Sequence, residues 1–229
     1  MKFFFCLPGL LVWASLLQAQ DKLFYVGPAI GVNHFLARSI SFSSPTGLNG
    51  STTNYKPSFL YGLEGNYANK RFLWNARFLT TQRVYEVSAP YIYNPSLLVR
   101  LGVKARYFSL PLTISYKLKT IQRLDIFAGV GLVPEWIGGQ FDRISYDILG
   151  SGVAFSLDPQ KPNKAFQMGG SLQVIGRHTV NRRLMLQLQP ALHYFKKMDT
   201  PFAKTTNSSL SLSLSVSYVL NRPGGLLYF

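Results

Sequence analysis

The residues with chemical potential are few and scattered. His193 stands on an alternating stretch, Leu184–Phe195. Nucleophilic catalysis needs a serine held in hydrogen-bond reach of such a base. In one known arrangement the serine follows the histidine by two residues on the same strand face; here that position is Phe195. Proteolytic chemistry would need convergent Asp and His pairs. Asp142, Asp147 and Asp199 fall in connections with no matched histidine, and His34 and His178 stand alone. Cys6 is the only cysteine, and no His/Cys/Asp/Glu spacing reads as a metal site. Gly129 and Gly131 lie mid-strand, without the strand–helix context of a phosphate cradle. No catalytic residue, metal or cofactor is therefore expected. The charges that stand out are Glu64 and Arg77, set in otherwise uncharged segments and expected to form a structural ion pair at diagonal cross-strand positions.

The elements that would position them are strands. Ser209–Tyr218 alternates serine with an apolar residue without a break, which puts the hydroxyls on one face and the large side chains on the other. Similar alternation predicts about eight strands: 22–36, 58–67, 72–85, 106–117, 124–136, 164–176, 184–195 and 209–220. Connections 68–71, 118–123 and 177–183 are short. Connections 37–57, 86–105, 137–163 and 196–208 are long and rich in Ser, Asn, Pro and Gly. No segment reads as a helix able to cover the apolar face. The remaining solvent for that face is lipid, which predicts an antiparallel up-and-down transmembrane β-barrel with its long loops extracellular.

Pairing parity tests this reading. A turn over Ala68–Arg71 sets Tyr67 opposite Phe72. Phe59, Tyr61, Leu63 and Tyr67 then share a side with Phe72, Trp74, Ala76 and Phe78. Aromatics gather near strand ends, as two interfacial girdles require. Tyr67, Phe72, Trp74, Tyr116 and Tyr218 lie toward the short turns, and Phe59, Phe108, Trp136, Phe166 and Tyr194 toward the long loops. The opposite face is small and polar, with Glu64, Asn66, Asn75, Arg77, Ser109, Thr113, Gln167, Ser171, Gln173, Gln187 and Gln189. Eight strands leave an interior filled by such side chains. Pro111 and Pro190 sit within strands, where each removes a ladder N–H and predicts a bend.

Composition agrees. Charged residues make up 14% of the 229, against roughly 25% in an average soluble protein, and mean hydropathy is only +0.10. The N-terminus reads as an export signal over residues 1–19: Lys2, an apolar run over Phe3–Leu17, and a cleavage site at Leu17-Gln18-Ala19. Residues 20–229 form the barrel domain. The formal charge is +15, or +14 without Lys2. The cations sit at strand ends and connections, among them Lys70-Arg71, Lys117, Lys119, Arg123, Arg177, Arg182-Arg183 and Lys196-Lys197. That distribution suits outer-membrane lipid headgroups and lipopolysaccharide phosphates rather than nucleic acid.

Tyr107-Phe108-Ser109-Leu110-Pro111-Leu112, followed by Leu124-Asp125-Ile126-Phe127-Ala128-Gly129-Val130-Gly131, resembles the Y-x-x-x-P strand and the glycine-alternating strand of the PorT-like outer-membrane β-barrel family of the Bacteroidota. Tyr25–Gly31 is similar to that family's first strand, and the resemblance runs from Lys22 to Leu220. It implies an outer-membrane barrel, with an envelope or secretion-machinery protein as a candidate partner. The chain departs from many outer-membrane barrels in placing Arg222-Pro223-Gly224-Gly225 before its final Tyr228-Phe229.

The expectation is a non-catalytic integral outer-membrane barrel with a structural, surface-interaction or secretion-accessory role. The alternatives are a narrow pore for small solutes, an outer-membrane enzyme, and a secreted lipocalin-like barrel with its large apolar residues inside.

Overall fold

The computed structural model describes residues 23–42, 52–91, 94–149, 153–157, 166–199 and 203–220. The expected signal segment lies outside them. The described residues form β1 (Leu23–Phe42), β2 (Thr52–Lys56), β3 (Ser58–Ala68), β4 (Phe72–Tyr91), β5 (Asn94–Ser109), β6 (Leu112–Ile121), β7 (Leu124–Leu149), β8 (Val153–Leu157), β9 (Phe166–Thr179), β10 (Leu184–Asp199) and β11 (Ala203–Val219). β2 and β3 both pair with β4 and are separated by Pro57; β5 and β6 both lie between β4 and β7. β8 pairs with the upper part of β7, above β9. Eight antiparallel walls result, and β1 closes the ring by pairing with both β3 and β11.

The alternation sorts the side chains as expected. On β11, Ser209, Ser211, Ser213, Ser215 and Ser217 are at most 4% exposed, whereas Leu210, Leu212, Leu214, Val216 and Tyr218 are 39–52% exposed. The same outward apolar face continues through Ile30, Phe59, Leu63, Trp74, Leu132, Leu172 and Leu192. Soluble monomers rarely expose a continuous apolar surface beyond a few hundred Å². A belt around the whole barrel is the signature of a transmembrane barrel, and it excludes the inside-out lipocalin arrangement.

The predicted hairpin register is two residues off. Asn69 Oδ1 accepts hydrogen bonds from the Arg71 and Phe72 amides, and the Asn69 amide donates to Phe72 O. This asparagine turn makes Ala68 pair with Leu73 and Tyr67 with Trp74. A shift of two keeps the parity, so every face assignment survives.

The long connections require a larger correction. Most of 37–57, 86–105, 137–163 and 196–208 is strand. Asp142, Asp147 and Asp199 lie in strands, and Asp147 pairs with Arg100. The 26 residues of β7, at about 3.3 Å each and about 40° tilt, rise roughly 65 Å, about twice a hydrocarbon core. Beyond the lipid no apolar solvent enforces period-two alternation on a strand.

Pro111 interrupts the wall between β5 and β6. The ladder is re-formed around it by Leu110 N donating to Pro134 O and Arg77 N donating to Pro111 O. Pro190 pairs with Leu212, but β10 skips two ladder steps with β9 between Leu188 and Ala191. Both prolines mark local breaks in the wall.

Glycines on the inner face let neighbouring walls meet. A methyl group at Gly62 would stand 1.9 Å from Phe78 O, and one at Gly129 2.0 Å from Ser115 Oγ. Gly62→Val is expected to destabilise the barrel by about 1–3 kcal/mol through overpacking. Urea unfolding in lipid vesicles measures this, with the outward-facing Leu63→Val as the control that leaves the midpoint nearly unchanged.

Candidate functional site

The lumen is the place where the sequence concentrates polar chemistry. At the short-turn end, however, it is apolar. Tyr25, Ala68, Leu73, Phe127, Ile175, Met185 and Val219 form one buried cluster, to which seven walls contribute. The expectation of a small polar interior fails here. Tyr25, Leu73, Phe127 and Ile175 hold inward positions on the same parity as the polar residues further up.

Arg177 seals this plug. Expected in a solvated connection, it is 6% exposed and sits within β9. Its guanidinium carbon lies 4.9 Å from the Phe127 ring centre and 5.9 Å from that of Tyr25. Arg177 Nη2 donates to Asp125 Oδ2 at 2.6 Å, and Nη1 donates to Tyr25 Oη at 3.4 Å. Asp125 Oδ1 is 2.6 Å from Lys117 Nζ and accepts from Thr120 Oγ1 at 2.8 Å. One carboxylate thus ties β6, β7 and β9 together.

Above the plug lies a hydrogen-bonded belt. Glu64 Oε1 accepts from Ser215 at 2.6 Å, Ser217 at 2.9 Å and Asn66 Nδ2 at 3.0 Å. Asn75 Nδ2 donates to Asn66 Oδ1 at 2.7 Å. Gln173 Nε2 donates to Thr113 at 2.6 Å and to Ser115 at 3.0 Å, and Gln189 donates to Gln173. Arg77, 1% exposed, donates through Nη1 to Ser213 at 3.0 Å.

Glu64 and Arg77 are both inside, and they are directly opposite in register rather than diagonal. No direct ion pair joins them. The carboxylate leans toward the β11 serines, which supply two of its three donors, and the guanidinium is anchored one step further along the same strand.

The buried ion pair lies higher. Arg83 and Glu135, each 3% exposed, meet at 2.5 Å, and Gln167 Nε2 donates to Glu135 at 2.5 Å. The Arg83 guanidinium is sandwiched between Phe35 at 3.9 Å and Tyr107 at 3.8 Å, with Phe195 at 5.7 Å. Desolvated cation–π contacts of this kind are worth about 2 kcal/mol or more. The signal for the pair was present in the sequence. Arg83 shares inward parity with Asn75 and Arg77, and Glu135 shares it with Gly129 and Gly131.

His193 is also inside. Its Nε2 is 3.1 Å from Ser211 Oγ. A hydrolytic triad needs a carboxylate on the other ring nitrogen. His193 Nδ1 has no hydrogen-bond partner among the described residues, and both lumenal glutamates are held elsewhere. No group of three or more potential metal ligands occurs among the described residues.

The aromatic residues expected in girdles face outward. Phe59, Phe72, Trp74, Tyr116, Phe166, Tyr194 and Tyr218 are exposed, while Tyr67, Phe108 and Trp136 are half-buried. Phe72 meets Tyr116 edge-on at 5.4 Å. Phe78, Phe108 and Trp136 lean on one another at 6.0–6.1 Å, which explains the partial burial of the last two.

No protein-family model and no curated protein matches the chain. Solved structures do. The outer membrane protein OprG from Pseudomonas aeruginosa aligns with a TM-score of 0.53 and 11% identity, over 88% of this chain and 97% of that one. Neisserial surface protein A aligns at 0.46 and 16%, over 85% and 96%. The outer membrane protease OmpT from Escherichia coli aligns at 0.48 and 10%, over 86% and 97%. At these identities the likeness to OprG carries the fold: an outer-membrane-type barrel.

Removing one member of the upper pair leaves the other charged and buried. Glu135→Leu or Arg83→Met alone is expected to cost about 3–5 kcal/mol, and the double variant substantially less than the sum of the two. A double-mutant cycle by urea unfolding in vesicles checks this. Additive losses would mean that the pair carries no coupling.

Proposed function

We propose that this protein is a non-catalytic integral outer-membrane barrel whose role is structural, surface-interacting or accessory to secretion. The observation that carries the reading is a lumen filled at three successive levels among the described residues. Seven buried residues plug the turn end, glutamine, asparagine and serine fill the level above it, and Arg83 is stacked between two rings above those. Such packing among the described residues favours a structural role over a solute path. The Ser211–His193 contact lacks the orienting carboxylate of a hydrolase.

What remains for interaction is the exterior. Strand extensions rise well above the lipid belt, a paired-strand platform for an envelope or secretion-machinery protein. The likeness of Tyr107–Leu112 and Leu124–Gly131 to the PorT-like pattern favours the secretion-accessory branch of this reading. Export through the 1–19 signal, insertion among outer-membrane lipids and lipopolysaccharide, and no nucleic-acid or cofactor role complete it.

Conductance in planar bilayers tests the proposal. The wild-type protein is expected to give no unitary steps above baseline. Tyr25→Ala combined with Phe127→Ala, which empties the plug at its widest residues, is expected to raise the frequency of open events. Steady wild-type conductance with solute selectivity would replace the structural reading by the pore.

A further inference from the structure

We propose that the outer wall over β3, β4, β6 and β7 holds an anionic phospholipid, one acyl chain lying in a groove and the phosphate resting on Arg71 and Lys119. The inference rests on the transmembrane reading of the barrel and deepens its lipid contact. Gly65 and Ala76 are direct partners in register, and both face lipid. The pairs on either side are bulky, Leu63 with Phe78 and Tyr67 with Trp74. Two minimal side chains between two large pairs make a notch. It continues over Leu112 and Ile114 into a concavity of 680 Å³ whose surface is mostly apolar.

Beyond the groove, toward the short turns, lies a polar cap of the right sign. Below Trp74 stand Phe72 and Tyr116 in edge contact, and Lys117 N donates to Arg71 O at 2.7 Å, which brings the 68–72 turn against the end of β6. Arg71 and Lys119 are exposed and have no ion-pair partner among the described residues. Asp125, the carboxylate on this rim, is already shared by Lys117 and Arg177. From Ala76 to Arg71 is five residues, about 16 Å along a strand and roughly 12 Å in depth at about 40° tilt. Half a hydrocarbon core is about 15 Å. The notch therefore lies at acyl-chain depth and the cations at phosphate depth. A neighbouring protein would have to match both the notch and the charge; an anionic lipid does so by its own length.

Native mass spectrometry of the refolded full chain tests this, with phosphatidylglycerol and phosphatidylcholine offered at equal mole fraction. A heat-shifted gel band is checked first, so that loss of the barrel itself is seen separately from loss of the site. One phosphatidylglycerol is expected to be retained as collision energy rises. Arg71→Gln with Lys119→Gln should reduce the preference for the anionic lipid about tenfold. Gly65→Leu should displace the lipid while leaving the heat shift intact, because the nearest atom to a methyl at Gly65 is Val26 Cγ1 at 4.0 Å. Ala76→Leu is the second filling variant. Equal retention of the two lipids, unchanged retention in both filling variants, or a dimer that Gly65→Leu dissociates would each overturn the proposal.

Discussion

The structure depends on one constraint: inside lipid a backbone amide or carbonyl has no partner except another part of the chain. Each unsatisfied group there costs several kcal/mol, so a sheet that enters the membrane must close on itself. Closure falls to β1 and β11, paired in register from Tyr25–Val219 to Phe42–Ala203 with one bulge between Ala37 and Ser39. The unbroken serine–apolar alternation of β11 follows from this position. A closing strand that slipped by one residue would turn five hydroxyls toward lipid and five large apolar groups into a crowded lumen. Where proline removes a donor, the wall finds another: around Pro111, Arg77 N and Leu110 N bond carbonyls across the break.

A closed eight-walled barrel next has to fill its interior, and charge is the costly way of doing so. Arg77, Arg83 and Arg177 are balanced in number by Glu64, Glu135 and Asp125, yet the three arginines are treated differently. Arg177 and Arg83 contact carboxylates directly and have aromatic rings beside them, so that removal from water is offset by Coulomb attraction, hydrogen bonds and π contact. Arg77 shares its neighbourhood with Glu64, but its one side-chain hydrogen bond among the described residues goes to Ser213. The two tight clamps also divide the labour by height. Asp125 binds the walls near the turns, and Glu135 joins β7 to β4 and β9 higher up.

The sequence was legible to the extent that one face of each strand met lipid. Within that band period two is compulsory, and the inward assignments of Asn66, Asn75, Thr113, Gln173, Gln187 and Gln189 follow from it directly. Asn69 shows where the legibility stops: its side chain closes the hairpin two residues away from the pairing that loop length alone suggests, without disturbing the faces. The strand extensions were read as loops because beyond the lipid no apolar solvent imposes alternation on a strand. There a strand is held by its ladder and leaves no mark in hydropathy. The apolar plug was missed for the converse reason. Tyr25, Leu73 and Phe127 look outward-facing by type, and only their parity sends them inward.

Parity also explains why a strand of serines and a strand bearing arginines belong to one barrel. β4 carries Asn75, Arg77, Thr81 and Arg83 inward, while β11 carries Ser209 to Ser217. The two walls are separated by β3 and β1, and the Arg77 side chain spans from one to the other to reach Ser213. Native packing density requires that long residues on one wall meet short ones opposite. Leucines in place of the serines would leave no room for the arginines, and alanines would leave the Glu64 carboxylate without two of its three donors. Serine meets both demands, so the same alternation that marks the chain as a membrane barrel also makes room in the lumen for the arginines.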